Sequence, residues 1–103
     1  MRIEMCASGT LRSDSVEEYA GKVFERALGR IGERIREVLI RVRDVNGPKG
    51  GTDMEARAEI VLEHRGACVV TARGDDAYGA LHAAADKAKH AVFRELEKRR
   101  DHH

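Results

Sequence analysis

Glu55-Ala56-Arg57-Ala58-Glu59-Ile60-Val61-Leu62-Glu63-His64-Arg65-Gly66-Ala67-Cys68-Val69-Val70-Thr71-Ala72-Arg73 is the stretch on which the fold turns. Ala56, Ala58, Ile60 and Leu62 alternate with Glu55, Arg57, Glu59, Val61 and Glu63. After a turn at His64-Arg65-Gly66, Cys68, Val70 and Ala72 alternate with Val69, Thr71 and Arg73. A period of two sends successive side chains to opposite faces of a sheet, so the pattern predicts a hairpin with one face buried and one solvated. Something must cover the apolar face.

Upstream, Asp44-Val45-Asn46-Gly47-Pro48-Lys49-Gly50-Gly51-Thr52-Asp53 holds the only proline and three of the glycines, as a loop between strands does. Before it, Ile35 begins a strand in which Val38, Ile40 and Val42 alternate with Leu39, Arg41 and Arg43. Further back, Val16, Tyr19, Ala20, Val23, Ala27 and Leu28 recur at helical spacing, with Glu17, Glu18, Lys22, Glu25, Arg26 and Arg30 on the other side. Ser13-Asp14-Ser15 supplies capping side chains, and Ser15 and Glu18 are spaced as a capping box. Gly29 and Gly32 weaken the helix end. At the start, Ile3, Met5 and Ala7 point inward from a first strand that Ser8-Gly9-Thr10 ends.

Downstream, Gly74-Asp75-Asp76 places carboxylates at the positive end of a final helix over about Ala77 to Arg100. Its inner stripe is Leu81, Ala84, Ala85, Ala88, Val92 and Leu96, with Phe93 on its flank. The order β-α-β-β-β-α predicts an α+β domain, a four-stranded sheet with both helices on one face. The first crossover is right-handed and the remaining strands form antiparallel hairpins. The uncovered face carries Glu4, Arg41, Arg43, Glu55, Arg57, Glu59 and Arg73, an array suited to cross-strand pairing that reads as solvated and not functional.

Residues 1–103 make one domain, which buries roughly 60 to 70% of its unfolded surface. The apolar fraction is 42% and the charged fraction 36%, with two Phe, two Tyr and no Trp, so small aliphatic residues must build the core. No secretory leader opens the chain and no apolar run is long enough to span a bilayer, so a cytoplasmic protein without membrane contact is expected. Cys6 and Cys68 have no CxxC partner and read as reduced thiols, buried or half-buried. Asp101, His102 and His103 fit a native end or a tag remnant and carry no functional argument.

A catalytic site needs a nucleophile with a base, paired carboxylates or a metal constellation, and none is assembled here. His64, Cys68 and His82 come nearest to a metal set, but Cys68 is an inward strand residue and His82 belongs to a helix. The Gly-Pro-Lys-Gly-Gly-Thr segment is no phosphate loop: its lysine comes too early and it leads into a strand. Lys49 within it remains a candidate backbone contact. No enzyme activity, cofactor, metal or small-molecule substrate is expected.

The net charge of +1 argues neither for nor against nucleic acid, so the distribution of charge matters more. Lys87, His90, Arg94 and Lys98 project to one side of the last helix over about 17 Å, enough for a few phosphates. Lys22, Arg26 and Arg30 form a second stripe at i, i+4, i+8 on the first helix, and neighbouring helices could present both together. Arg99 and Arg100 extend the patch. The plainer alternative is solvated helix faces whose C-terminal cations complement the helix dipole.

Asp76-Ala77-Tyr78-Gly79-Ala80-Leu81, followed by Asp86-Lys87 and spaced cations, resembles the ribosome-hibernation-promoting factors, also called ribosome-associated inhibitors or sigma modulation proteins. The likeness spans nearly the whole chain. Tyr78, Ala80, Leu81, Asp86, Lys87, Arg94 and Lys98 fit the family pattern, and the Asn46 to Gly51 loop resembles one in short bacterial members.

The resemblance implies a double-stranded-RNA-binding-like fold. It also implies docking on the small ribosomal subunit and its rRNA, in the channel of messenger and transfer RNA, so that translation stops reversibly. Lys87, His90, Arg94 and Lys98 would be the RNA contacts, with Lys22 and Arg26 from the first helix.

His90 stands where arginine is usual and Leu96 where lysine is common, and the near-neutral charge is unlike strongly basic members. Weaker or pH-sensitive affinity is expected, because histidine charge varies near neutrality. The C-terminal dimerisation domain of long members is absent, so a monomer that does not pair ribosomes is expected. The competing reading is a divergent member serving as a protein-interaction or regulatory module without ribosome binding.

Overall fold

The computed structural model describes residues 1–7, 13–45, 53–64 and 66–100, without the side chains of Ala7, Arg99 and Arg100. Residues Asn46 to Thr52, with Lys49, and the terminal Asp101, His102 and His103 lie outside that description. Strand β1 (Arg2–Ala7) leads to helix α1 (Asp14–Leu28) and a 3₁₀ turn (Gly29–Arg34). Strands β2 (Ile35–Asp44), β3 (Met54–Leu62) and β4 (Ala67–Gly74) follow, then helix α2 (Ala77–Arg100). The sheet order is β1-β2-β3-β4, with β1 and β2 parallel and the other neighbours antiparallel. This is the α+β arrangement expected from the order of elements, with both helices on one face.

The covered face is the apolar half of each alternation: Val38, Ile40, Val42, Ala56, Ala58, Ile60, Leu62 and Ala72 are buried. A register shift between Ile35 and Glu37 in β2 rephases the strand. Ile35 and Val38 are three residues apart and would otherwise point to opposite faces; the irregularity lets both be buried. The β3–β4 turn closes through the Leu62 amide donating to the Gly66 carbonyl at 3.0 Å. His64 and Gly66 both take left-handed φ there, 77° and 78°. In a histidine that conformation is uncommon, so His64 acts as a turn residue.

Helix α1 begins two residues earlier than the Ser15–Glu18 spacing suggests. Ser13 is its cap, with Oγ accepting from the Val16 amide at 3.2 Å. Its buried stripe is Val16, Ala20, Phe24 and Leu28, and Tyr19, Val23 and Ala27 are only half-buried. The expected stripe omitted Phe24, which is the largest fully buried side chain. A strict four-residue repeat rotates the contact line toward Phe24, and burying one such ring contributes about 1.5–3 kcal/mol.

Helix α2 is seated by two contacts at its start. Asp76 caps it, Oδ1 accepting from the Gly79 amide at 2.7 Å and the carbonyl from the Ala80 amide at 3.1 Å. Gly74 lies directly beneath: a Cβ there would meet the Ala80 nitrogen at 2.4 Å. Ala77, Ala80, Leu81, Ala84, Ala85, Ala88 and Val92 are buried, and small side chains let the helix lie close to the sheet. Leu96 is only half-buried. Helix α2 is about 36 Å long and β4 roughly 26 Å. With the Cys68 thiol already reaching the Ala91 carbonyl at 3.9 Å, the last turns of α2 overhang the sheet.

The open face carries a row of ion pairs across three strands. Arg43 Nε meets Glu55 at 2.9 Å, and Arg73 meets Glu55 at 3.9 Å and Asp53 at 3.5 Å. Arg43–Glu55 and Glu55–Arg73 are direct cross-strand partners, the pairing expected of this array. Cys68 is half-buried as expected, but Cys6 is exposed, because it falls on the outward half of the β1 alternation.

Candidate nucleic-acid interface

Lys87, His90, Arg94 and Lys98 are all exposed on α2. At about 3.6 residues per turn the four span less than a quarter of the helix circumference. Lys87 Nζ donates to the Thr71 carbonyl at 2.9 Å, which fixes this flank against the outer edge of β4. His90 Nδ1 lies 2.9 Å from the Asp86 carbonyl. A carbonyl can only accept, so that nitrogen carries the proton and Nε2 is turned outward. Arg94 and Lys98 occupy the overhang and form no ion pair among the described residues. Their mutual spacing of one turn suits successive phosphates along a strand.

The second stripe is broken. Lys22 pairs with Glu18 at 3.5 Å, an exposed contact one turn away. Arg26 is exposed in the last turn of α1. Arg30 is not on the helix at all: it sits in the 3₁₀ turn, where Ile31 departs from helical geometry at φ −115°, ψ 19°. Arg30 borders a cleft with Ile31, Arg34, Phe93 and Leu96. The cause is the pair Gly29 and Gly32, which leaves the α-helix without the propensity to continue.

The two stripes do not converge into one patch. Tyr78 packs edge-on against Tyr19 of α1, ring centroids 5.1 Å apart, and Leu96 faces the 3₁₀ turn across the cleft. Lys87 lies nine residues from each, about two and a half turns, and so projects to the opposite flank of α2. Lys22, beside Tyr19 and Tyr78, belongs to the α1 side. His82, Lys89 and Phe93 occupy the outward side between these flanks, all exposed. Lys89 and the exposed ring of Phe93 share this side at i, i+4 spacing.

Other candidates separate. His64 is in the β3–β4 turn, Cys68 faces α2 and His82 is on the outer side of that helix. Among the described residues no group of three His, Cys, Asp or Glu is arranged to hold a metal ion. No described helix is long and apolar enough to cross a membrane. The side chains of Arg99 and Arg100 lie outside the described residues.

No protein-family model matches the chain, and no curated protein matches it by sequence. Solved structures do. A ribosomal subunit interface protein from Coxiella burnetii superposes with a TM-score of 0.68 at 20% identity, covering 98% of this chain and 99% of that one. The Protein Y N-terminal domain from Thermus thermophilus superposes with a TM-score of 0.71 at 20% identity, covering 92% of this chain and 99% of that one. The chain therefore shares the fold of these two structures over nearly its whole length.

Proposed function

We propose that this chain is a short ribosome-hibernation-promoting factor. It binds rRNA of the small subunit, occupies the path of messenger and transfer RNA, and holds translation idle in the cytoplasm under stress. The observation that supports this reading is the likeness, over nearly the whole chain, to a ribosomal subunit interface protein and to the Protein Y N-terminal domain, joined to the exposed basic flank Lys87, His90, Arg94 and Lys98. Lys22 and Arg26 contribute from α1, and Arg30 from the 3₁₀ turn. The role is occupancy: exposed cations meet phosphates without base readout, so affinity falls steeply with salt.

Co-sedimentation with small subunits through a salt series tests it. Co-migration at low salt that fades as salt rises is expected; no co-migration at low salt overturns the reading. A protein-binding module is the second reading, favoured by the exposed Phe93 beside the half-apolar cleft of Ile31 and Leu96. Association that survives RNase and high salt would select it.

A further inference from the structure

On the open face of the sheet, Arg41 of β2 stands directly opposite Arg57 of β3. Directly opposed residues place their Cβ atoms about 4.5–5.5 Å apart, and like charges in that relation are unfavourable. The neighbouring row solves the same problem differently, with Glu55 between Arg43 and Arg73. In the row on the other side, Glu59 opposes Leu39 and Val69. Glu59 makes no ion pair with either arginine, and both guanidiniums lack an anionic partner among the described residues.

Arg41, Arg57, Arg43 and Glu55 line one shallow depression. The Glu55 charge there is already shared by Arg43 and Arg73. Thr71, the partner of Arg57 on β4, extends the row with an exposed hydroxyl. Two forked donors at one cross-strand spacing, with a hydroxyl beside them, match the oxygens of a tetrahedral dianion.

We propose that Arg41 and Arg57 form a phosphate-binding site on the open sheet face, separate from the cationic flank of α2. The phosphate group bridges the two guanidiniums and removes their repulsion. Its source is a nucleic-acid backbone or a free phosphate compound, which share this chemistry. The site lies on the face of the sheet away from both helices, so it is independent of the ribosome-binding reading.

The test uses the whole chain and inorganic phosphate, with sodium chloride at matched ionic strength as reference. Phosphate at about ten times its Kd is expected to raise Tm by about 7 °C beyond the chloride value. Arg41→Gln and Arg57→Gln, exposed substitutions that relieve repulsion, should fold and lose this increment, whereas Arg36→Gln should keep it. An equal response to phosphate and chloride, or an increment that persists in both variants, overturns the site. A short oligouridine then separates the sources. Weaker RNA binding by both variants assigns a backbone phosphate, and unchanged RNA binding with a lost phosphate response assigns a free one. Failure of the ribosome reading would instead appear as unchanged subunit binding when the α2 flank is altered.

Discussion

The two helices cover the same face of one sheet, and both carry cations at helical spacing, yet they offer a partner different surfaces. On α2 the row Lys87, His90, Arg94 and Lys98 stays on one flank of an unbroken helix, and its far end overhangs the sheet. On α1 the row is diluted by Glu18, which holds Lys22 at 3.5 Å, and is cut where the helix gives way to a 3₁₀ turn before Arg30. Equal spacing in sequence is therefore not equal charge in space. What matters is whether the helix continues and whether a carboxylate sits one turn away.

The seating of the helices differs as sharply, and the largest expected effect tests it. Gly74→Ala places a Cβ 2.4 Å from the Ala80 backbone nitrogen, and overpacking against backbone should cost about 3 kcal/mol, read by chemical denaturation. A near-wild-type midpoint would show that α2 is seated less closely than described. The helix-borne charges come next. Alanine at Lys87, Arg94 and Lys98 together should lower the slope of log affinity against log salt by about 2 to 3, measured by subunit binding. The matching pair of changes at Lys22 and Arg26 should lower it by about 1, because Lys22 is already paired.

Two smaller effects sharpen the contrast. Gly21 in α1 has open space where a Cβ would go, so Gly21→Ala should stabilise the chain by about 0.5–1 kcal/mol, the opposite sign to Gly74. Glu18→Gln frees Lys22 and should tighten subunit binding about two-fold at low salt. If binding is indifferent to Glu18, α1 lies outside the interface.

Alternation alone was enough to find β2, β3 and β4, because a half-buried strand must separate polar from apolar residues at every step. Capping chemistry was equally legible at Asp76, whose carboxylate bonds the Gly79 amide. It misled at Ser15, where three polar residues in succession offered several caps and the geometry selected Ser13. Phe24 went unplaced because several overlapping apolar stripes fit α1, and the line that touches the sheet is fixed by the docking angle of the helix. The cross-strand pairing expected on the open face is present in the Arg43–Glu55–Arg73 row, whereas the expectation that this face has no function is what the proposed phosphate site disputes. The opposition of Arg41 to Arg57 depends on strand register, which no local pattern supplies.

The order of elements, the apolar face, the start of α2 and the positions of its cations follow from the chain, since each rests on periodicity or on contacts within a few residues. The separation of the two cationic stripes to opposite flanks of α2, the loss of Arg30 from α1 and the meeting of Arg41 with Arg57 were settled by tertiary structure. The reason is common to all three: helix rotation, helix termination and strand register are set by packing against distant partners. A local stretch of sequence carries no record of those partners.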